Sequence, residues 1–462
     1  MKKHFYYIIL ISLAFISCDD YLDVDPKGLV IPNTIEDFDL LLNGSERTIN
    51  TTTDEYALFL TADDFTSEES DLGDLDNPNN TILNLYTWDK DLFNDQSEQN
   101  SWNLPYNNIY TYNLVIESID GASPALTYTE NDKKTIEAEA KVGRAYEYWL
   151  LVNTFAKQYS EATASESEGV PIITIPDLSK SVPERASVKA VYDFIIKDVE
   201  ESIQYLPELA KNSIRPSKAT GYGMLARFYL SMNNYEEALK NASLAISEKG
   251  EIGDYNVDLV SGYLSEQYIM RLYGYTRGFD AGKVSDNLLN SFDANDSRFN
   301  HLSSCSWVYD PAIGWQYICG GSYRNGYAHD VNHAVSVPEM YLIRAECNAR
   351  LTNGTIEDVV TDLNALRSKR IPNYVNLTSA DFATKSEALT FVLEERRREL
   401  FMIGMRLFDL KRLNLDPATA KTVTHTVNGV DYTLNPGDNN WVLPIPSQAL
   451  NFAQGWTQNP RD

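Results

Sequence analysis

Between residues 222 and 245 the chain sets large and small apolar residues at a helical step: Tyr222, Leu225, Ala226 and Tyr229, then Ala238, Ala242 and Ala245. Residues three and four apart share one face of a helix. Small side chains on such a face let a second helix approach closely, and the large ones fill the groove beside it. The spacing therefore predicts two antiparallel helices packed as a pair. The same logic returns with Tyr341, Ala345, Val359, Leu363 and Leu366, joined by a longer turn through Thr352, Asn353 and Gly354. A further long helix is expected where Ala138, Val142, Ala145, Trp149, Val152 and Ala156 recur at steps of four and three. Another runs from Val188 to Leu206, opened by Ser187 as a cap and stopped before Pro207.

The positions of both pairs resemble tetratricopeptide repeats, with Ala242 standing where a phenylalanine is usual. The expected fold is mainly α: a tetratricopeptide-like helix-pair scaffold over about 100–249 and 334–413, with a long, irregular, loop-rich insertion over about 250–333 in the second half. That insertion is rich in Tyr, Gly, Asn and Ser and has no sustained helical period. Because stacked repeats need neighbouring units, two pairs about 120 residues apart are not expected to form a continuous array. A second loop-rich stretch, Thr61–Tyr86, is dense in Asp, Glu, Asn and Ser. Long irregular segments in a compact protein more often carry function than not.

At the N-terminus, Lys2 and Lys3 precede an apolar run from Phe5 to Ile16, then Ser17 and Cys18. That layout reads as a signal peptide over residues 1–17, since the run is shorter than the roughly 20 residues a membrane span requires. A small residue directly before cysteine resembles a bacterial lipoprotein box, which makes Cys18 the lipidation site. The alternative is plain secretion with Cys18 as a thiol or half of a disulfide. Residues 18–26 then form an acidic tether, and residues 27–462 the folded domain. With 39 basic and 66 acidic residues the formal charge is −27. Nucleic acid is thereby excluded as a partner, because phosphate binding needs a basic face. Three cysteines besides Cys18 are too few for a disulfide framework. Cys347 reads as a small buried residue, while Cys305 and Cys319 flank one aromatic loop and either bridge or stay free.

Several landmarks in order along the chain resemble the SusD/RagB family of outer-membrane nutrient-binding lipoproteins. They begin with Cys18-Asp19-Asp20-Tyr21-Leu22-Asp23 and continue through Trp102, Tyr106 and Asn113, then Gly143-Arg144-Ala145-Tyr146. Glu395-Arg396-Arg397-Arg398-Glu399-Leu400 runs into Gly404-Met405-Arg406-Leu407-Phe408-Asp409, and Leu443-Pro444-Ile445-Pro446 with Gln458-Asn459-Pro460 closes the series. The resemblance implies a lipid-anchored, surface-exposed protein of the outer membrane. It also implies a TonB-dependent, SusC-like transporter as partner and a glycan, an oligosaccharide or, in some members, a peptide as ligand.

Glycan recognition uses flat aromatic faces together with amides, carboxylates and guanidiniums. With 29 Tyr and 7 Trp, rings are plentiful. Trp102 and Trp149 fall on helical apolar faces and read as core. The expected ligand platform is Trp88, at the end of the first loop-rich stretch, with Tyr273, Tyr275, Trp307 and Trp315 from the insertion. For Trp88 the competing reading is a loop anchor packed on the helices. The run Arg396-Arg397-Arg398 is flanked by Glu394, Glu395 and Glu399 and reads as salt bridging on a helix surface. His329 and His333 sit four apart but lack a glutamate of the HExxH kind between them, so no metal is expected. No nucleophile elbow or phosphate loop is present, and no catalytic residue or cofactor is expected. A surface glycoside hydrolase, which needs only two suitably spaced carboxylates, is the rival from another class.

Overall fold

A computed structural model of the protein describes residues 32–43, 49–50, 56–92, 100–124, 127–256, 270, 273–275, 283–302, 305–310, 314–319, 331–332, 335–401, 403–453 and 455–462. The expectations for the signal peptide and Cys18, and for His329 and His333, lie outside these residues.

The described chain is mainly helical. Its helices are α1 (Ile35–Leu41), α2 (Tyr56–Leu60), α3 (Thr81–Tyr86), α4 (Asn100–Ser118), α5 (Glu130–Phe155), α6 (Val188–Ser202), α7 (Lys218–Ser231) and α8 (Tyr235–Glu248). They continue with α9 (Asp286–Leu289), α10 (Ser297–Leu302), α11 (Val337–Arg350), α12 (Ile356–Arg367), α13 (Lys385–Glu399), α14 (Arg406–Leu413) and α15 (Ser447–Phe452). The strands are short: β1 (Ile49–Asn50), β2 (Phe65–Thr66), β3 (Tyr273–Tyr275), β4 (Lys283–Val284), β5 (Cys305–Asp310), β6 (Gly314–Cys319), β7 (Val331–Asn332), β8 (Val423–Val427) and β9 (Val430–Leu434). They make one three-stranded sheet in the order β1-β3-β7 and the pairs β2-β4, β5-β6 and β8-β9.

Local chemistry accounts for the helix ends. Ser187 caps α6 by accepting from Ala190 N–H, and Asn234 caps α8 by accepting from Glu237 N–H. Thr129 and Thr355 open α5 and α12 with capping boxes to Asp132 and Asp358. Asn233 takes the left-handed conformation (φ 58°) that turns α7 into α8. Along α5 one face holds Val142, Ala145, Trp149 and Val152 in the core. Gly143 lets the Tyr112 ring of α4 lie against the α5 backbone, where any Cβ would collide with it.

Ala238, Ala242 and Ala245 are fully buried and share the main core with Val337, Met340, Ile343 and Cys347 of α11. The two helix pairs therefore stack directly, α8 against α11, which corrects the expectation of an interrupted array. The Arg350 guanidinium lies over the Tyr235 ring, and the Tyr341 hydroxyl donates to the Gly250 carbonyl. The insertion leaves after α8 and returns before α11 at the same place, so contiguity in space survives a break in sequence. The insertion is loop-rich as expected, and it carries α9, α10 and β3–β7.

The arginine run is a second correction. Arg396, Arg397 and Arg398 are buried in α13 rather than displayed on its surface. Arg396 donates to Asp409 at 2.9 Å and pairs with Glu339 at 3.5 Å, which also holds Arg227. Arg412 bridges Asp409 to Glu346, and Arg350 completes the chain from Glu346 to Asp416. Burial by itself would raise the Asp409 and Glu346 carboxyls, but the surrounding guanidiniums hold both below the usual carboxylate range. These ion pairs tie α7, α11, α13 and α14 together in low-dielectric surroundings, where losing one partner strands the other at a cost of about 3–5 kcal/mol.

Candidate ligand-binding surface

Asp63 and Asp64 sit where the first loop-rich stretch meets the insertion. Arg406 Nε and Nη2 donate to Asp63 at 2.6 and 2.9 Å, and Lys421 Nζ reaches it at 2.6 Å. Arg397 Nε donates to Asp64 at 2.6 Å, its Nη1 to Asn287 Oδ1 at 2.6 Å and its Nη2 to the Asp63 carbonyl at 3.0 Å. Burial opposes the Asp63 charge, yet Arg406, Arg397 and Lys421 overcome it and keep the carboxyl far below its ordinary range. At Asp64 burial prevails, helped by the neighbouring Asp63 charge, and the carboxyl is raised.

Around this node the insertion is fastened to the scaffold. Strand β2 pairs antiparallel with β4, matching Phe65 to Val284. The Ser285 hydroxyl donates to the Asp63 carbonyl at 2.9 Å, and its N–H to the Asp64 carbonyl at 2.8 Å. The same hydroxyl accepts from Leu288 N–H and caps α9. From α10, Arg298 joins Asp296, Glu395 and Glu399. The starts of α9 and of α10 are thus bolted to α13.

Strand β3 runs between β1 and β7, matching Asn50 to Tyr275 and Tyr273 to Asn332. Strands β5 and β6 form a hairpin that matches Cys305 to Cys319, Trp307 to Tyr317 and Tyr309 to Trp315. Positions 305, 307 and 309 therefore share one face of the ladder with 315, 317 and 319, since residues two apart lie on one side of a strand and directly opposed residues on the same side of the pair. Of the expected platform, positions 273, 275, 307 and 315 fall on strands of the insertion rather than in irregular chain. Missed in the sequence was the alternation of Cys-Ser-Trp-Val-Tyr-Asp and Gly-Trp-Gln-Tyr-Ile-Cys, a strand signature on either side of Pro311-Ala312-Ile313. The side chains of Tyr273, Tyr275, Trp307 and Trp315, and of Cys305 and Cys319, lie outside the described residues.

Trp88 is a correction. Only 3 % exposed, it belongs to the main core. Its ring stacks on His425 with centroids 4.4 Å apart, and Tyr86 covers the imidazole at 4.0 Å. The indole N–H donates to the Thr61 carbonyl at 3.3 Å. At that exposure neither ring face is open to a ligand, and Trp88 is the loop anchor. The left-handed backbone of Trp88 (φ 54°) directly after α3 turns the side chain inward. His425 Nδ1 and Nε2 lie 2.6 and 3.2 Å from the carbonyls of Tyr86 and Ala62. Trp102 and Trp149 are buried as expected, and Cys347 is a buried thiol whose burial pushes its pKa up.

Comparison with known proteins agrees with this architecture. Residues 20–230 match a family described as starch-binding, associating with the outer membrane, and residues 337–461 match the SusD family. The chain belongs to the SusD/RagB family. A SusD-like protein P2 from Formosa agariphila is 22% identical to it over 97% of both chains. Among solved structures, a SusD superfamily protein from Bacteroides thetaiotaomicron superposes with a TM-score of 0.73 at 20% identity, covering 93% of this chain and 100% of its own. Surface glycan-binding protein A from Bacteroides uniformis gives 0.68 at 18% identity, covering 92% and 99%. At such identities the superpositions establish the SusD fold, and the ligand must be argued separately.

Proposed function

We propose that this chain is a cell-surface lipoprotein of the outer membrane that captures a glycan or oligosaccharide and passes it to a TonB-dependent, SusC-like transporter. The observation that carries the reading is the match of residues 20–230 to a family described as starch-binding. Its likeness to a surface glycan-binding protein adds support. Cys18 is the lipid anchor in this reading, and residues 18–26 are the tether. Binding is non-catalytic and needs no cofactor. Tyr273, Tyr275, Trp307 and Trp315 supply the ring faces, and the registered Trp–Tyr positions of the hairpin favour a surface that meets several sugar units. Each stacked ring contributes about 1 kcal/mol, so affinity rises with the number of subsites occupied along a polymer.

The test is affinity electrophoresis of the protein through gels containing soluble glycans, against the double variant Trp307→Ala/Trp315→Ala. Retardation by one glycan, lost in a variant whose thermal midpoint is unchanged, is the expected result. Release of shortened products would make the protein a hydrolase instead. Retardation by no glycan, together with binding of peptides, would move the ligand to the peptide class.

A further inference from the structure

Away from the insertion, the segment after α5 contains an unfinished β-ladder. Glu168 and Ser187 form an antiparallel bridge, Gly169 N–H donates to the Ala186 carbonyl at 2.7 Å, and Ala186 N–H donates to the Val170 carbonyl at 3.2 Å. The next odd-numbered residues turn their main chain toward the helices. The Pro171 carbonyl accepts from Tyr106 at 3.0 Å. The Ile173 carbonyl accepts from Tyr148 at 2.9 Å and Asn113 at 2.8 Å, and its N–H donates to the Tyr148 hydroxyl at 2.7 Å.

In extended chain, successive residues direct their main-chain groups to opposite sides. Ile172 and Thr174 therefore present N–H and carbonyl groups on the side where Val170 meets Ala186, and among the described residues nothing bonds to them. Gly169 and Val170 both meet Ala186, a bulge after which Ile172 would face Glu184, and the ladder stops there because no main-chain bond joins those two among the described residues. Residues 177–183 instead swing out and leave a groove of about 640 Å³ between themselves, Ile172–Ile175 and the Tyr106–Tyr110 turn of α4. Ile175 is 54 %, Val182 41 % and Leu178 87 % exposed at its rim.

We propose that the Ile172–Ile175 edge is a β-addition site for an extended, alternately apolar segment of another protein. A helix or a lipid surface could cover the apolar rim but would leave four main-chain groups unanswered, whereas a strand answers them all. Open apolar edges are ordinarily blunted by charge. Here Asp177 and Lys180 are the charged residues lining the groove, and they balance. A formal charge of −27 on the whole chain disfavours a second copy as occupant and favours a neutral or basic segment. Pro171 and Pro176 limit the pairing to the four residues between them, which makes the contact specific and short.

The experiment measures residue-resolved amide exchange of the full mature chain. The probe is a capped seven-residue peptide of alternating valine and threonine with lysine at each end. At ten times the dissociation constant, exchange at Thr174 should slow about tenfold, while Ile173, already held by Tyr148, stays unchanged. Ile175→Lys and Val182→Lys should each abolish that slowing without moving the thermal midpoint, since both side chains are exposed. No slowing at saturating peptide overturns the proposal. Slowing that appears without peptide and follows protein concentration, with a dimer in sedimentation, assigns the edge to a second copy and also overturns it. Protection by neutral or anionic phospholipid vesicles instead of peptide overturns it in favour of a membrane surface.

Discussion

A tryptophan beside a loop full of aspartates has two possible fates, and for Trp88 backbone conformation decides between them. The left-handed turn after α3 aims the indole at the Thr61 carbonyl and the His425 ring. Replacing it with alanine removes a buried ring with its hydrogen bond, which costs about 3–5 kcal/mol. Trp88→Ala should therefore lower the midpoint of denaturant unfolding strongly, and its folded fraction should bind any ligand with unchanged affinity, as a titration would show. Reduced affinity at full stability would return Trp88 to the ligand surface. Nothing in the spacing of residues 86–91 could have announced this outcome, because the partner His425 lies far along the chain and only tertiary packing brings it close.

Between elements, the joint of α14 with the end of α5 carries an uncommon group. Lys411 is buried, donates to the carbonyls of Asn153 and Ala156, and among the described residues faces no carboxylate. Burial pushes its pKa down to about 7. Below pH 7 the ammonium is protonated in folded and unfolded chain alike. Between pH 7 and the ordinary lysine value of 10.5 the unfolded chain holds the proton that the folded chain has released, so unfolding takes up a proton and stability rises with pH, by up to about 1.4 kcal/mol per unit from this group. Chemical denaturation of the wild type and of Lys411→Met across that window should differ in slope, the variant lacking this rise. Parallel slopes would mean that the two carbonyls hold the ammonium charged throughout. The sequence shows α14 as an amphipathic run with basic residues, but which of Lys411 and Arg412 meets carbonyls and which meets carboxylates depends on the two helices packed above it.

For the molecule as a whole, charge is sorted by depth. The ion pairs of α11, α13 and α14 are buried and little screened, while most of the excess negative charge is solvated. Raising salt from about 0.01 M to about 1 M shortens the Debye length from roughly 30 to 3 Å, relieving surface repulsion and leaving the interior pairs intact. The thermal midpoint should rise across that range, as calorimetry would show; a fall would mean that exposed pairs dominate. The helix pairs, the Ser187 cap of α6 and the buried faces of α5, α7 and α8 were legible in the chain itself, because a 3.6-residue period and capping chemistry act within a few residues. The arginine run was legible as ion-paired but not as buried, and the insertion as loop-rich but not as strand-bearing where its aromatic residues lie. Only tertiary structure decided that α8 meets α11 across the insertion, that Asp63 and Asp64 receive Arg397, Arg406 and Lys421, and that Trp88 turns inward. Each of these joins residues far apart in the chain through packing and desolvated charge, and no local spacing encodes which distant partner arrives.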